Sequence, residues 1–94
     1  MNARQAIEAA KQQFVETFVG EGITNIGLEE VRYEGDEGIW HITLGFSRTW
    51  DQAGVGQLAH TLGVAGPRTY KVVEIADRDG RLLAITNRDI QRAA

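Results

Sequence analysis

The chain has 94 residues, no cysteine, and a formal charge of −3 from 10 basic and 13 acidic side chains. Its 43% hydrophobic and 24% charged residues suit one folded globular domain and argue against a disordered chain. The missing thiols exclude disulfides, thiolate nucleophiles and cysteine-rich zinc centres, and the acidic balance argues against nucleic acid, whose binders carry a basic face.

The first residues, Met1-Asn2-Ala3-Arg4-Gln5, lead into polar helical text with Glu8, Lys11, Gln12 and Gln13. A secretory leader needs an apolar run of about 7–15 residues there. A bilayer span needs roughly 20 apolar residues. The chain as given contains neither, so the expectation is a cytoplasmic protein without a membrane partner.

Residues 3–19 are predicted as a helix. Ala3, Ile7, Ala10, Phe14 and Phe18 recur at spacings of three and four, with Ala6 alongside. That places them on one stripe of a 3.6-residue period. Asn2 can cap the first turn through its side-chain oxygen, and Gln5 can bond back. Gly20 and Gly22 can adopt the left-handed conformation that ends a helix. Glu8, Gln12 and Glu16 lie on the opposite, wet face.

Residues 26–34 and 39–47 are predicted as a hairpin. Trp40, Ile42, Leu44 and Phe46 alternate with His41, Thr43, Gly45 and Ser47, the clearest period of two in the chain. Gly35-Asp36-Glu37-Gly38 makes the turn. Pairing Glu34 with Ile39 sets Tyr33 opposite Trp40 and Val31 opposite Ile42, all on the core face. One step further Glu29 would face Leu44, so a bulge near Glu29-Glu30 is expected to return Leu28 to the core side.

Residues 48–67 form a connector. Asp51 could cap a short helix carrying Val55, Leu58, Ala59 and Leu62, but Gly54, Gly56 and Gly63 oppose it at about 1 kcal/mol each. Gly66-Pro67 ends the segment. Residues 68–77 and 81–88 are predicted as a second hairpin, followed by a short tail, 89–94. A two-residue Asp79-Gly80 turn would split the large apolar residues between faces. An Arg78-Asp79-Gly80 loop instead sets Ile75 opposite Leu83 and Val73 opposite Ile85, with Gly80 in the positive-φ place of a G1 bulge. The second register is preferred. The expected fold is a single α+β domain. One N-terminal helix packs on one face of a four-stranded antiparallel sheet, and 1-2-3-4 is the simplest strand order.

Little in the chain reads as reaction chemistry. His41 and His60 have no spacing that would join them in a metal site. Glu29 and Glu30 are adjacent, so in a regular strand they point to opposite faces and do not converge as an acid–base pair. Ser47 lacks a nucleophile elbow, and Gly54-Val55-Gly56 lacks the lysine and the strand-then-helix setting of a phosphate loop. No cofactor, no metal and no catalytic residue is expected. The C-terminal basic residues Arg68, Lys71, Arg78, Arg81, Arg88 and Arg92 are interleaved with Glu74, Asp77, Asp79 and Asp89, which reads as a mixed solvated face.

The outer face of the second hairpin is more telling. If Val73, Ile75, Leu83 and Ile85 face the helix, then Tyr70, Val72, Ala76, Leu82 and Ala84 face away, rimmed by Glu74, Thr86 and Arg88. One helix covers one face of a sheet, and an uncovered antiparallel face is normally polar. A contiguous apolar patch marks a contact site, unless the connector folds over it. Trp50, just past the best strand, is a candidate aromatic anchor. The expected contact residues are Tyr70, Val72, Leu82, Ala84, Arg88 and Trp50, and the expected partner is another protein or a second copy. Two alternatives stay open. One is a small-ligand binder or enzyme with a pocket between helix and sheet, with Glu29, Trp50 and His60 near its mouth. The other is a small inhibitor or immunity-type protein.

The order helix, hairpin, connector, hairpin resembles the cystatin-like and PepSY-like small domains, in which a long helix lies across a curved antiparallel sheet. The nearest textual echo is Tyr70-Lys71-Val72-Val73-Glu74-Ile75-Ala76-Asp77-Arg78-Asp79-Gly80-Arg81-Leu82. It is similar to the PepSY pattern of an apolar strand, an acidic residue and a glycine turn before another strand. The pattern's aspartate position, four before the glycine, holds Ala76 here, with Asp77 displaced by one. The resemblance spans residues 3–88 and implies a non-enzymatic binding or inhibitory module.

Overall fold

The computed structural model describes residues 1–48 and 68–88. Over the described residues it is an α+β fold with one helix, α1 (Ala3–Thr17), followed by strands β1 (Ile23–Glu34), β2 (Ile39–Arg48), β3 (Thr69–Ala76) and β4 (Leu82–Asn87). The strands form one antiparallel sheet in the order β1-β2-β3-β4. The short helix foreseen after Asp51, the rest of the connector and the tail 89–94 lie outside the described residues.

The expected cap forms at the helix start. The Asn2 side chain accepts the Gln5 backbone N–H at 2.8 Å, and the Gln5 side chain accepts the Asn2 N–H at 2.8 Å. Two otherwise orphaned donors are thereby satisfied. The helix ends two residues before the predicted limit, and Gly20 and Gly22 both take positive φ just beyond it. Ala6, Ala10 and Phe14 are fully buried, and Ile7, Ala9 and Phe18 pack at the edge of the same cluster. Beneath them lie Ile42, Leu44 and Phe46 of β2 and Val73 and Ile75 of β3, all at 0% exposure. Burying one such side chain contributes about 1.5–3 kcal/mol.

The first hairpin has the expected register, with Glu34 opposite Ile39, Tyr33 opposite Trp40 and Val31 opposite Ile42. The expected bulge is present. Leu28 faces Leu44 and Glu30 faces Thr43, which leaves Glu29 as the extra residue. β1 begins earlier than predicted because a second irregularity between Thr24 and Gly27 lets pairing resume toward Ser47 and Arg48. Asn25 takes φ +55 there, a conformation that asparagine tolerates better than most residues.

The second hairpin departs from its predicted register near the turn. The Gly80 N–H donates to the Ala76 carbonyl at 2.8 Å and the Ala76 N–H donates to the Arg81 carbonyl at 2.9 Å. Gly80 has φ +74, so the G1 bulge forms as expected but closes on Ala76. Asp77 is not free to pair with Arg81, because its N–H donates to the Gly38 carbonyl of the other turn at 2.8 Å. Closure one residue earlier brings Leu82 opposite Ile75. A further bulge before Ala84 restores the expected Val73–Ile85 pair. The two leucines therefore exchange places. Leu82, expected outside, packs against the core cluster, while Leu83, expected inside, is 40% exposed.

Candidate functional site

The face of the sheet opposite the helix carries the polar alternates of β2 at its centre. Thr43 and Ser47 are buried there at 1% and 5% exposure. Long side chains from both sides reach across this strand. Arg88, just past β4, bonds Glu30 of β1 and donates to the Thr43 hydroxyl at 3.2 Å. The nearby guanidinium holds the Glu30 carboxyl below the usual carboxylate range. Arg68 lies 3.8 Å from Glu29, the bulged residue of β1. The pair spans Gly45, where a Cβ would sit 2.9 Å from the guanidinium, 3.0 Å from the carboxylate and 3.0 Å from the Tyr70 ring. The β1 bulge thus turns Glu29 toward Arg68. The central glycine lets both side chains lie close to the backbone.

Of the residues expected to make contact, Tyr70, Val72 and Ala84 lie on this outer face, half-buried, and Arg88 lies exposed at its rim. Val72 sits between Thr43 and Thr86 in the ladder, so the apolar stripe is interrupted by hydroxyls and by the Arg88–Glu30 bridge. Leu82 lies on the helix side and is replaced by Leu83. Trp50 and His60 lie outside the described residues. His41 is on the outer face, between Arg32 and Glu74 in register, and its Nε2 is buried with no hydrogen-bond partner among the described residues.

A depression of about 330 Å³ opens at the end of this face where the two hairpin turns meet. Ile39, Ala76 and Leu83 give it an apolar floor, and Arg78, Arg81, Glu37 and Asp77 stand around it. The two turns are joined by the Asp77 N–H to Gly38 carbonyl bond. The Asp77 carboxylate accepts the Trp40 indole N–H at 2.8 Å and the Met1 ammonium at 3.1 Å. Those two bonds hold its carboxyl below the ordinary range. Arg78 and Arg81, expected on a mixed solvated surface, and Leu83, expected in the core, line the depression instead. The signal that could have found the site is the adjacency of Leu82 and Leu83. In a strand only one of two neighbours can face the helix.

On the helix side, Lys71 bonds Asn87 and stands 5.8 Å from the Phe18 ring centre. Burial first, and then the Arg48 charge, lower its pKa. Among the described residues no three histidine, aspartate or glutamate side chains come together as metal ligands, and no helix is long and apolar enough to cross a membrane. The space between helix and sheet is filled by Phe14, Phe46, Ile42, Leu44, Val73 and Ile75. The chain matches no protein-family model, no curated protein and no solved structure.

Proposed function

We propose that the domain is a non-catalytic protein-interaction module that receives another protein, or a second copy of itself, on the outer face of its sheet. The observation that carries this reading is Leu83. A bulge between Leu82 and Ala84 keeps one leucine in the core and leaves the next 40% exposed, beside Ile39 and Ala76. Bulges re-aim side chains in this way at working surfaces. Val72, Ala84 and Tyr70 continue the face along β3 and β4, and Arg88 and Arg68 border it. Interfaces are rich in such half-buried apolar groups with an arginine rim.

The small-ligand alternative is less well supported, because the side chains between helix and sheet leave little room for the pocket it needs. An inhibitor or immunity-type protein would be one form of the same docking role, and the PepSY-like and cystatin-like resemblance implies a binding module of that kind.

The test pairs association with folding. Sedimentation and affinity capture are run on the native chain and on Val72→Glu and Leu83→Glu, with far-ultraviolet circular dichroism as the folding control. The expected result is an association, with self or with one stoichiometric partner, that both variants abolish while they stay folded. Association that persists in both folded variants would remove the outer face from consideration.

A further inference from the structure

We propose that the depression at the turn end of the outer face is the seat for an acidic peptide segment of the partner, with an apolar side chain on the Ile39–Ala76–Leu83 floor and a neighbouring carboxylate held by Arg78 and Arg81. This inference rests on the interaction reading and names the kind of partner it requires.

About 330 Å³ is at the small end of ligand sites, enough for one large apolar side chain and an adjoining carboxylate. Arg32, Arg68 and Arg88 each have an acidic partner, whereas neither Arg78 nor Arg81 has one among the described residues. A guanidinium fork matches a carboxylate in two parallel hydrogen bonds, so two unpaired forks beside an apolar floor are complementary to an acidic amphipathic segment.

Charge narrows the choice further. The Asp77 carboxylate is already engaged by the Met1 ammonium and the Trp40 indole. Among the lining residues that leaves the two guanidiniums and the Glu37 carboxylate, while the Asp79 carboxylate, outside the lining, is engaged by the Arg81 backbone N–H. The apolar floor beside the two guanidiniums suits a carboxylate carried next to an apolar side chain better than a free phosphate. The floor hangs from two turns joined through the Asp77–Gly38 bond, and Gly80 is bonded back to Ala76. A preformed floor lowers the ordering cost of binding.

The probe is the pentapeptide acetyl-Asp-Glu-Leu-Asp-Glu-amide, titrated into ¹⁵N-labelled full chain. Three further ligands serve as controls: the same peptide with Asn and Gln for its acids, the same peptide with Ser for Leu, and inorganic phosphate. The expected result is saturable movement of the Gly38, Ile39, Ala76 and Leu83 amide signals. Affinity falls at least tenfold for either altered peptide, for the Arg78→Gln/Arg81→Gln double variant and for Leu83→Ser. No movement at millimolar peptide, or equal affinity for the double variant, overturns the seat. Phosphate that displaces the peptide and moves the same signals as strongly reduces it to a simple anion site and also overturns the proposal. If the partner found by capture is lost with Val72→Glu but retained by the double arginine variant, the seat is wrong and the interaction reading stands. If the peptide binds as expected and Leu83→Glu abolishes association while Val72→Glu leaves it intact, the wider outer face is not the interface and the seat stands; association that survives Leu83→Glu overturns both.

Discussion

The Trp40 indole N–H donates to the Asp77 carboxylate at 2.8 Å, across 37 residues of chain. The same aspartate bonds the Met1 ammonium through its side chain and the Gly38 carbonyl through its backbone N–H. It therefore ties the start of the chain, β2 and both hairpin turns together. The Trp40 bond first, and the Met1 bond second, lower its pKa in the folded state. A lowered folded pKa means that the contribution to stability is present above the unfolded value, about 3.9. It is lost as pH falls through the folded value. Asp77→Asn removes this pH dependence but keeps an oxygen for the indole. The expected outcome is a melting temperature below that of the native chain at pH 6, with the gap closing as pH approaches 2. Thermal melts across that range check it, and a gap that is constant with pH would contradict the assignment.

The exchange of Leu82 and Leu83 gives a direct test of the β4 register. Leu82 packs on the core cluster and Leu83 does not. Leu82→Ala should cost about 2 kcal/mol, the low end for a core leucine because the side chain is only partly buried. Leu83→Ala should stay within about 0.5 kcal/mol. Denaturant titration of both variants decides it. A larger loss for Leu83 would restore the register in which Ile75 faces that residue.

Where local chemistry dictated the outcome, the sequence was a sufficient guide. The Asn2–Gln5 cap, the Phe14 stripe, the Tyr33–Trp40 pairing and the Glu29 bulge all follow from side-chain period and capping preference, and each is found. The second hairpin failed at the point where a distant group intervened. No local pattern shows that the Asp77 N–H is taken by Gly38, and that single bond moves the turn closure to Ala76. The candidate site was missed for the same reason. It is made by two turns meeting, and Ile39 and Leu83 lie far apart in the chain. The ion pairs that cross β2 were equally hidden, since they join Glu29 and Glu30 to residues that follow the connector.

Glycine substitutions should separate backbone strain from crowding. Gly38 and Gly80 have φ +65 and +74, so Gly38→Ala and Gly80→Ala should each cost about 1–2 kcal/mol through left-handed strain. Gly45 is not in the positive-φ region, and its Cβ would meet the ends of Arg68 and Glu29 and the Tyr70 ring. The charged ends can swing aside, so Gly45→Ala should cost no more than about 1 kcal/mol and open the Arg68–Glu29 pair. Asn25→Gly, at φ +55, should be close to neutral. Chemical denaturation ranks the four. Gly45→Ala as the worst of them would show that the outer face is packed as rigidly as the core.

The helix is held to the sheet largely by aromatic packing. The Phe14 ring centre is 5.0 Å from Phe46 and 4.7 Å from Phe18, tilted in both pairs. Its neighbours Ala6 and Ala10 are small, which brings the helix close to the sheet and leaves Phe14 as the main plug between the layers. Phe14→Ala should cost about 3–5 kcal/mol, transfer and cavity terms together. A domain of this size has a total stability of roughly 5–15 kcal/mol, so the variant should be partly unfolded or close to it. Phe14→Leu, which keeps much of the volume, should lose about half as much. Val15→Ala on the exposed flank, where Val15 is 51% exposed, should change stability by less than about 0.5 kcal/mol. Equal losses at positions 14 and 15 would mean that the helix packs through a different face.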